Sequence, residues 1–290
     1  MGGSLQHNSA GYFRYYILEE IMAEKIRLKK PFEIEQNEYS DIKHVIGVVS
    51  GKGGVGKSLV TASLANNLAA QGYCVGIMDA DITGPSIPKM YGLKGPAVMQ
   101  GDKIAPAITD NDIKVMSINL LMPDPEQAVV WRGPVITGVV KQFWTDVIWG
   151  ELDYLLVDMP PGTGDVPLTV FQSLPVDGIM VVTSPQDLVS MIVKKALNMA
   201  ALMQIPVLGV IENYSYLECP DCGRKIEVFG KSHIEEVAAA EKLAVGGRIP
   251  INPAMAEKAD EGKFAEVKNE HLQAAVDVLK ALPVLEVASR

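Results

Sequence analysis

Eight residues, GKGGVGKS at positions 51–58, constrain this chain more than any other stretch. They follow HVIGVVS, a β-branched apolar run of strand length. They precede SLVTASLANNLAAQG, whose apolar residues recur at helical spacing and whose Gly72 is the predicted C-cap. The pattern G-x-x-x-x-G-K-[ST] between a strand and a helix has a direct physical reading. The glycines let successive backbone N–H groups turn inward around an anion. The helix adds the positive end of its dipole. Gly51, Gly53, Gly54, Val55 and Gly56 therefore form the predicted phosphate cradle. Lys57 is expected to reach the β- and γ-phosphates of ATP, and Ser58 to ligate Mg²⁺. A chance glycine-rich turn has no reason to sit in register between strand and helix.

Beyond this loop the chain alternates short apolar runs with helical stretches. CVGIMDAD, DYLLVDMPPG, GIMVVTSP and VLGVIENY read as strands buried on both faces, the kind found in helix-covered parallel sheets. PVITGVVKQFWTDVIWG reads as a helix with Pro134 at its start and Gly150 after its end. DLVSMIVKKALNMAALMQ, SHIEEVAAAEKL and EHLQAAVDVLKAL are further helices, the second with a capping box from Ser232 to Glu235. RIPI reads as a short late strand. The expected fold is α/β, a doubly wound and mostly parallel sheet of the P-loop NTPase type in a single domain. That domain is placed at residues 41–290. Residues 1–40 read as a polar arm, with 1–21 set apart as a start-site or cloning artefact because Met22 opens a more ordinary beginning.

Acidic residues stand where such a sheet binds ligands, at strand C-terminal ends. Asp79 and Asp81 close the second strand, and Asp158 closes DYLLVD. Asp158 is expected to hold Mg²⁺ through water. Asp79 is assigned a structural or supporting role.

Two of the three cysteines, Cys219 and Cys222, share YLECPDCGRK. A tetrahedral metal site or a small iron–sulfur cluster needs four ligands, so one Cys-x-x-Cys pair is half a site. An iron–sulfur cluster, a Zn²⁺ ion and a redox dithiol all fit the pair. Cys74, at the start of a strand, is read as a core residue. Three cysteines in 290 residues fit a reducing, cytoplasmic compartment. A net charge of −9 argues against nucleic acid as a partner. No apolar run approaches the ~20 residues of a membrane-spanning helix.

KGGVGKS, with Lys52 as a second lysine, is similar to the deviant Walker A loop of the MinD/ParA/nitrogenase-reductase class. That resemblance implies that Lys52 crosses a homodimer interface to the partner's nucleotide. SGKGGVGKS, DADITGPSIP, WGELDYLLVDMPPGTGD, GVIENYSYLECPDCG and RIPI stand in the order seen in Mrp/ApbC-type iron–sulfur cluster carrier ATPases. The similarity runs from Ile42 to the C-terminus. It implies slow ATP hydrolysis, with Asp81 orienting or activating the attacking water. It implies Asn213 at the adenine edge and the backbone near Pro250 against the base. It also implies a labile [4Fe–4S] cluster shared by the Cys219–Cys222 pairs of two chains, and exchange with cluster-assembly scaffold proteins and apo iron–sulfur proteins. The chain departs from many relatives in having only a short arm where they carry an extra small domain, and in reading ENYS for ENMS.

The competing expectation is a MinD/ParA-like positioning or regulatory ATPase with a structural bridging zinc. It calls for a basic tail, whereas HLQAAVDVLKALPVLEVASR carries only His271, Lys280 and Arg290 as cations and reads as a packed terminal helix. A nitrogenase-reductase-like electron donor draws its cluster cysteines from two separate segments, unlike this chain.

Overall fold

The computed structural model describes residues 37–81, 84–122, 133–162, 165–185 and 189–283. The predicted segment 1–21 and nearly all of the polar arm lie outside the described residues, as do Thr163 and Gly164 of the DMPPGTGD stretch.

Twelve described strands are β1 (Ser40–Ser50), β2 (Val75–Asp79), β3 (Met99–Gln100), β4 (Lys103–Ile104), β5 (Ala107–Ile108), β6 (Lys114–Ser117), β7 (Gly150–Asp158), β8 (Gly178–Thr183), β9 (Val207–Glu212), β10 (Leu217–Glu218), β11 (Lys225–Ile226) and β12 (Val245–Arg248). Eight of them form the main sheet in the order β12-β9-β8-β1-β7-β2-β6-β5. Every pairing in it is parallel except β5 with β6. The helices are α1 (Lys57–Ala69), α2 (Ile87–Met90), α3 (Gly133–Thr145), α4 (Asp165–Ser173), α5 (Val189–Met203), α6 (Ile234–Ala240), α7 (Pro253–Asp260) and α8 (Gln273–Lys280).

The period-2 alternation of β1 sorts its side chains onto two faces. Ile46 and Val48 join a core with Leu64 and Leu68 of α1 and Val276 and Leu279 of α8. Val45 and Val49 join a second core with Val140 and Phe143 of α3, Phe171 of α4 and Val193 of α5. Helices therefore cover both faces, as the continuous apolar strands require. Among the described residues no helix is long and apolar enough to cross a membrane.

Several local expectations are corrected. Cys74 is exposed, not core. Strand β2 starts one residue later, and Cys74 closes the turn from α1. There its backbone N–H donates to Asp153 Oδ2 at 2.8 Å, and its side chain emerges at the surface. The Ser232–Glu235 capping box does not form, because α6 starts one residue later, with His233 at the N-cap. Ser232 Oγ instead accepts from Ile234 N–H at 3.3 Å. Helix α3 ends at Thr145, and Gly150 opens β7 with φ +62° rather than ending the helix. RIPI is not a strand of its own: β12 ends at Arg248, and the backbones of Ile249 and Ile251 bond to Glu212, Ser215 and Tyr216.

Candidate nucleotide and thiol sites

The loop after β1 takes two left-handed turns, at Gly54 (φ +82°) and Gly56 (φ +77°), a conformation that disfavours any Cβ. At Gly56 space forbids one as well. A Cβ there would collide with Asn213 Nδ2 and stand 2.9 Å from the Tyr214 hydroxyl. Helix α1 follows without a side-chain cap, so its first N–H groups face the turn.

Lys57 and Asp158 are both buried, and Lys57 Nζ lies 2.7 Å from Asp158 Oδ1 and 3.9 Å from Asp81 Oδ2. The buried ammonium is thus paired with the Asp158 carboxylate at a charge-assisted hydrogen-bond distance. Asp158 also accepts from Ser58 Oγ at 2.5 Å and from Thr61 Oγ1 at 2.8 Å. A hydroxyl beside a carboxylate is a hard oxygen pair of the kind Mg²⁺ prefers, so Ser58 and Asp158 fit that ion.

Asp79 lies in register with Asp158 on the neighbouring strand and is wholly buried. Burial, and then the facing Asp158 carboxylate, push its pKa well above the usual carboxylate range. It accepts from the backbone N–H groups of Asp81 (3.2 Å) and Ile87 (3.4 Å) and from Ser117 Oγ (3.2 Å). Its place is thus under the site, holding the Asp81 turn.

The loop, Lys57, Ser58 and Asp81 open onto a cavity of about 390 Å³, within the range of small-ligand sites. Gly53, Gly54, Gly56, Lys57, Ser58 and Asp81 line it. Its far wall is α7, through Ala256, Ala259 and Asp260. Sequence reading missed this wall and also Thr61. The wall had a signal: Asn252 caps α7 by accepting from Ala254 N–H at 3.1 Å, with Pro253 next to it, an N-cap and N1 pair visible in INPAMAEKAD.

The other expected residues fall elsewhere. Gly51 packs against Ile192 of α5. Lys52 is exposed on the loop, and its carbonyl accepts from Ser50 Oγ at 2.9 Å. Val55 is buried under the loop. Asn213 is not at the cavity surface: it is 1% exposed, and its Nδ2 donates to Val55 O at 3.0 Å. Its amide ties the loop down. Pro250 is half-buried between Ile249 and Ile251, whose backbones pair with Ser215 and Tyr216.

The thiol pair sits on the β10–β11 hairpin. Cys219 N–H donates to Arg224 O at 2.9 Å, and Gly223 N–H donates to Cys219 O at 2.8 Å with Gly223 at φ +68°. Pro220 has no N–H. The backbone N–H groups of Asp221 and Cys222, followed by the Cys222 thiol, hold Cys219 below the ordinary thiol range. That favours the thiolate, the form that ligates metals. Cys219 is half-buried and Cys222 exposed. Among the described residues no group of three or more His, Cys, Asp or Glu side chains gathers into a metal site.

A family model described as ParA, NUBPL iron-transfer P-loop NTPase, matches residues 41–282. The chain belongs to this family. This NUBPL-type NTPase is 50% identical over 236 residues to the iron–sulfur cluster carrier protein of Clostridium perfringens, covering 79% of this chain and 83% of that protein. It is 46% identical over 240 residues to the protein of the same name in Methanocaldococcus jannaschii, covering 82% of each. Among solved structures it resembles the nucleotide-binding protein of Archaeoglobus fulgidus in complex with ADP. The TM-score is 0.73 at 41% identity, covering 88% of this chain and 96% of that one. The cell division ATPase MinD of Pyrococcus furiosus, with a TM-score of 0.56 at 21% identity over 82% of this chain and 98% of its own, shares the fold. The NUBPL-type NTPase is thus a nucleotide-loop protein of the MinD/ParA fold class, with the resemblance to cluster carriers extending along most of the chain.

Proposed function

We propose that this protein is an ATP-hydrolysing carrier that holds a labile [4Fe–4S] cluster as cargo on Cys219 and Cys222 and hands it to apo iron–sulfur proteins. The observation that carries this reading is the Cys219–Cys222 knuckle, an accessible thiol pair whose backbone favours the thiolate. Relatives named as cluster carriers support it. Two thiolates are half of the four that such a cluster takes. A two-fold axis between two copies brings the other half, so the working unit is a homodimer. Cluster-assembly scaffold proteins are the proposed donors.

The nucleotide chemistry follows from the cavity. Lys57 turns from Asp158 to the β- and γ-phosphates. Ser58 directly and Asp158 through water would hold Mg²⁺, which would neutralise phosphate charge. Asp81, 3.9 Å from the ammonium at the cavity wall, orients the attacking water. Lys52 reaches the partner's nucleotide from the exposed loop edge. Slow turnover sets the geometry of the dimer and hence of the paired cysteines.

The test is anaerobic purification, with iron, acid-labile sulfide and zinc measured per chain beside the solution mass. About two iron and two sulfide per chain in a dimer are expected, lost in Cys219→Ala without loss of nucleotide binding. About half a zinc per chain and no sulfide overturns the carrier reading in favour of a structural clamp.

A further inference from the structure

The phosphate loop and the cysteine hairpin are joined by a short, tightly bonded stretch, residues 212–219, whose contacts the proposed chemistry does not use. It starts under the loop. The Val55–Gly56 peptide presents its carbonyl to Asn213 Nδ2, at 3.0 Å, while Gly56 lines the cavity. One planar trans unit carries both the carbonyl and the Gly56 N–H on opposite sides. Turning that N–H towards a phosphate therefore moves the oxygen that Asn213 holds. Asn213 cannot absorb the movement alone: its own N–H is bonded to Thr183 O at 2.8 Å, and the Tyr214 hydroxyl closes over Gly56. Tyr214 is held in the left-handed region, φ +57°, which is uncommon for a bulky residue.

The next links run to the thiols. Ser215 Oγ donates to the buried Glu212 Oε2 at 2.5 Å and accepts from Arg248 Nε at 2.9 Å. Arg248 lies 3.5 Å from the same carboxylate. Tyr216, 5% exposed, has Lys225 Nζ 4.3 Å from its ring centroid and the Arg248 guanidinium at 5.9 Å. Lys225 belongs to β11 and pairs with Glu218, the residue before Cys219. Glu212 Oε1 is buried without a hydrogen-bond donor. The network is one bond short, and a shift of Arg248 onto both carboxylate oxygens would complete it. Such a shift would be the second arrangement that coupling between two sites requires.

We propose that Tyr216, gripped by Lys225 and Arg248, is a positioning residue that transmits nucleotide occupancy of the phosphate loop to Cys219. This rests on the carrier reading for its purpose but not for its test, which uses the apo chain and its own thiols. Cys219 alkylation by iodoacetamide is followed by mass spectrometry with and without MgADP or MgATPγS, and nucleotide affinity is measured in parallel. In the wild type the Cys219 rate changes about fivefold or more on nucleotide binding. Tyr216→Ala abolishes that change and leaves nucleotide affinity as it was; Tyr216→Phe, which keeps the ring, retains it. Lys225→Met, on the exposed strand, reduces the change in the same way and decides the matter if Tyr216→Ala does not fold. A wild-type rate indifferent to nucleotide overturns the relay. So does a response that survives these substitutions, as simple shielding of the thiol by a second copy would. Either result leaves the carrier reading, which stands on cluster content, untouched.

Discussion

Asp79 shows how much a single residue's environment decides. In the sequence it is one of two aspartates in DAD, separable from Asp81 only by analogy. In the structure its carboxyl is wholly buried beside Asp158 and held above the ordinary carboxylate pKa. A raised folded-state pKa means that the folded chain binds more protons than the unfolded one. The group therefore takes nothing from stability below about pH 4 and lowers it progressively as pH climbs from there through the raised value. Asp79→Asn removes this slope. The variant's unfolding free energy relative to wild type, measured in urea from pH 4.5 to 7.5, is expected to rise with pH. A difference that is flat or falls with pH would count against a protonated Asp79.

Among the elements, α8 carries its weight in packing. Ala275, Val276 and Leu279 are fully buried against the face that also takes Leu64 and Leu68 of α1. The sequence pattern EHLQAAVDVLKAL announces this helix, and its apolar spacing fits a packed end better than a membrane-seeking tail. Leu279→Ala should cost about 2–5 kcal/mol, the range for emptying a tight core site. Urea denaturation with an unchanged m-value would report it; a loss below about 1 kcal/mol would place the helix outside the cooperative core. The short strands were harder to read. Strand β6, four residues within IKVMSIN, is too brief for its alternation to stand out, and β5 is two residues long. They exist because β2 presents an edge that needs a partner, a tertiary cause with no local signature.

At the scale of the whole molecule, the proposed dimer hangs on Lys52. It is exposed on the loop. Lys52→Ala should leave nucleotide affinity of the single chain near wild type while ATP turnover falls about tenfold or more, the scale seen when a transition-state cation is withdrawn. Turnover assays beside sedimentation with ATP check this. Equal loss of affinity and turnover would make Lys52 a ligand in its own chain.

The sequence by itself determined the class of fold and the main chemical groups. A glycine-rich loop works through backbone N–H groups close in sequence, and a Cys-x-x-Cys turn through its own four residues, so both are legible as strings. Buried parallel strands announce themselves by composition alone. Tertiary structure decided the rest, because it concerns groups far apart in the chain. It set Thr61 and Lys57 on Asp158, about a hundred residues away. It closed the cavity with α7, and it exposed Cys74 at a turn. It tied the Asn213 amide beneath Val55, where the left-handed Gly56 leaves an amide the room that any other residue's Cβ would fill.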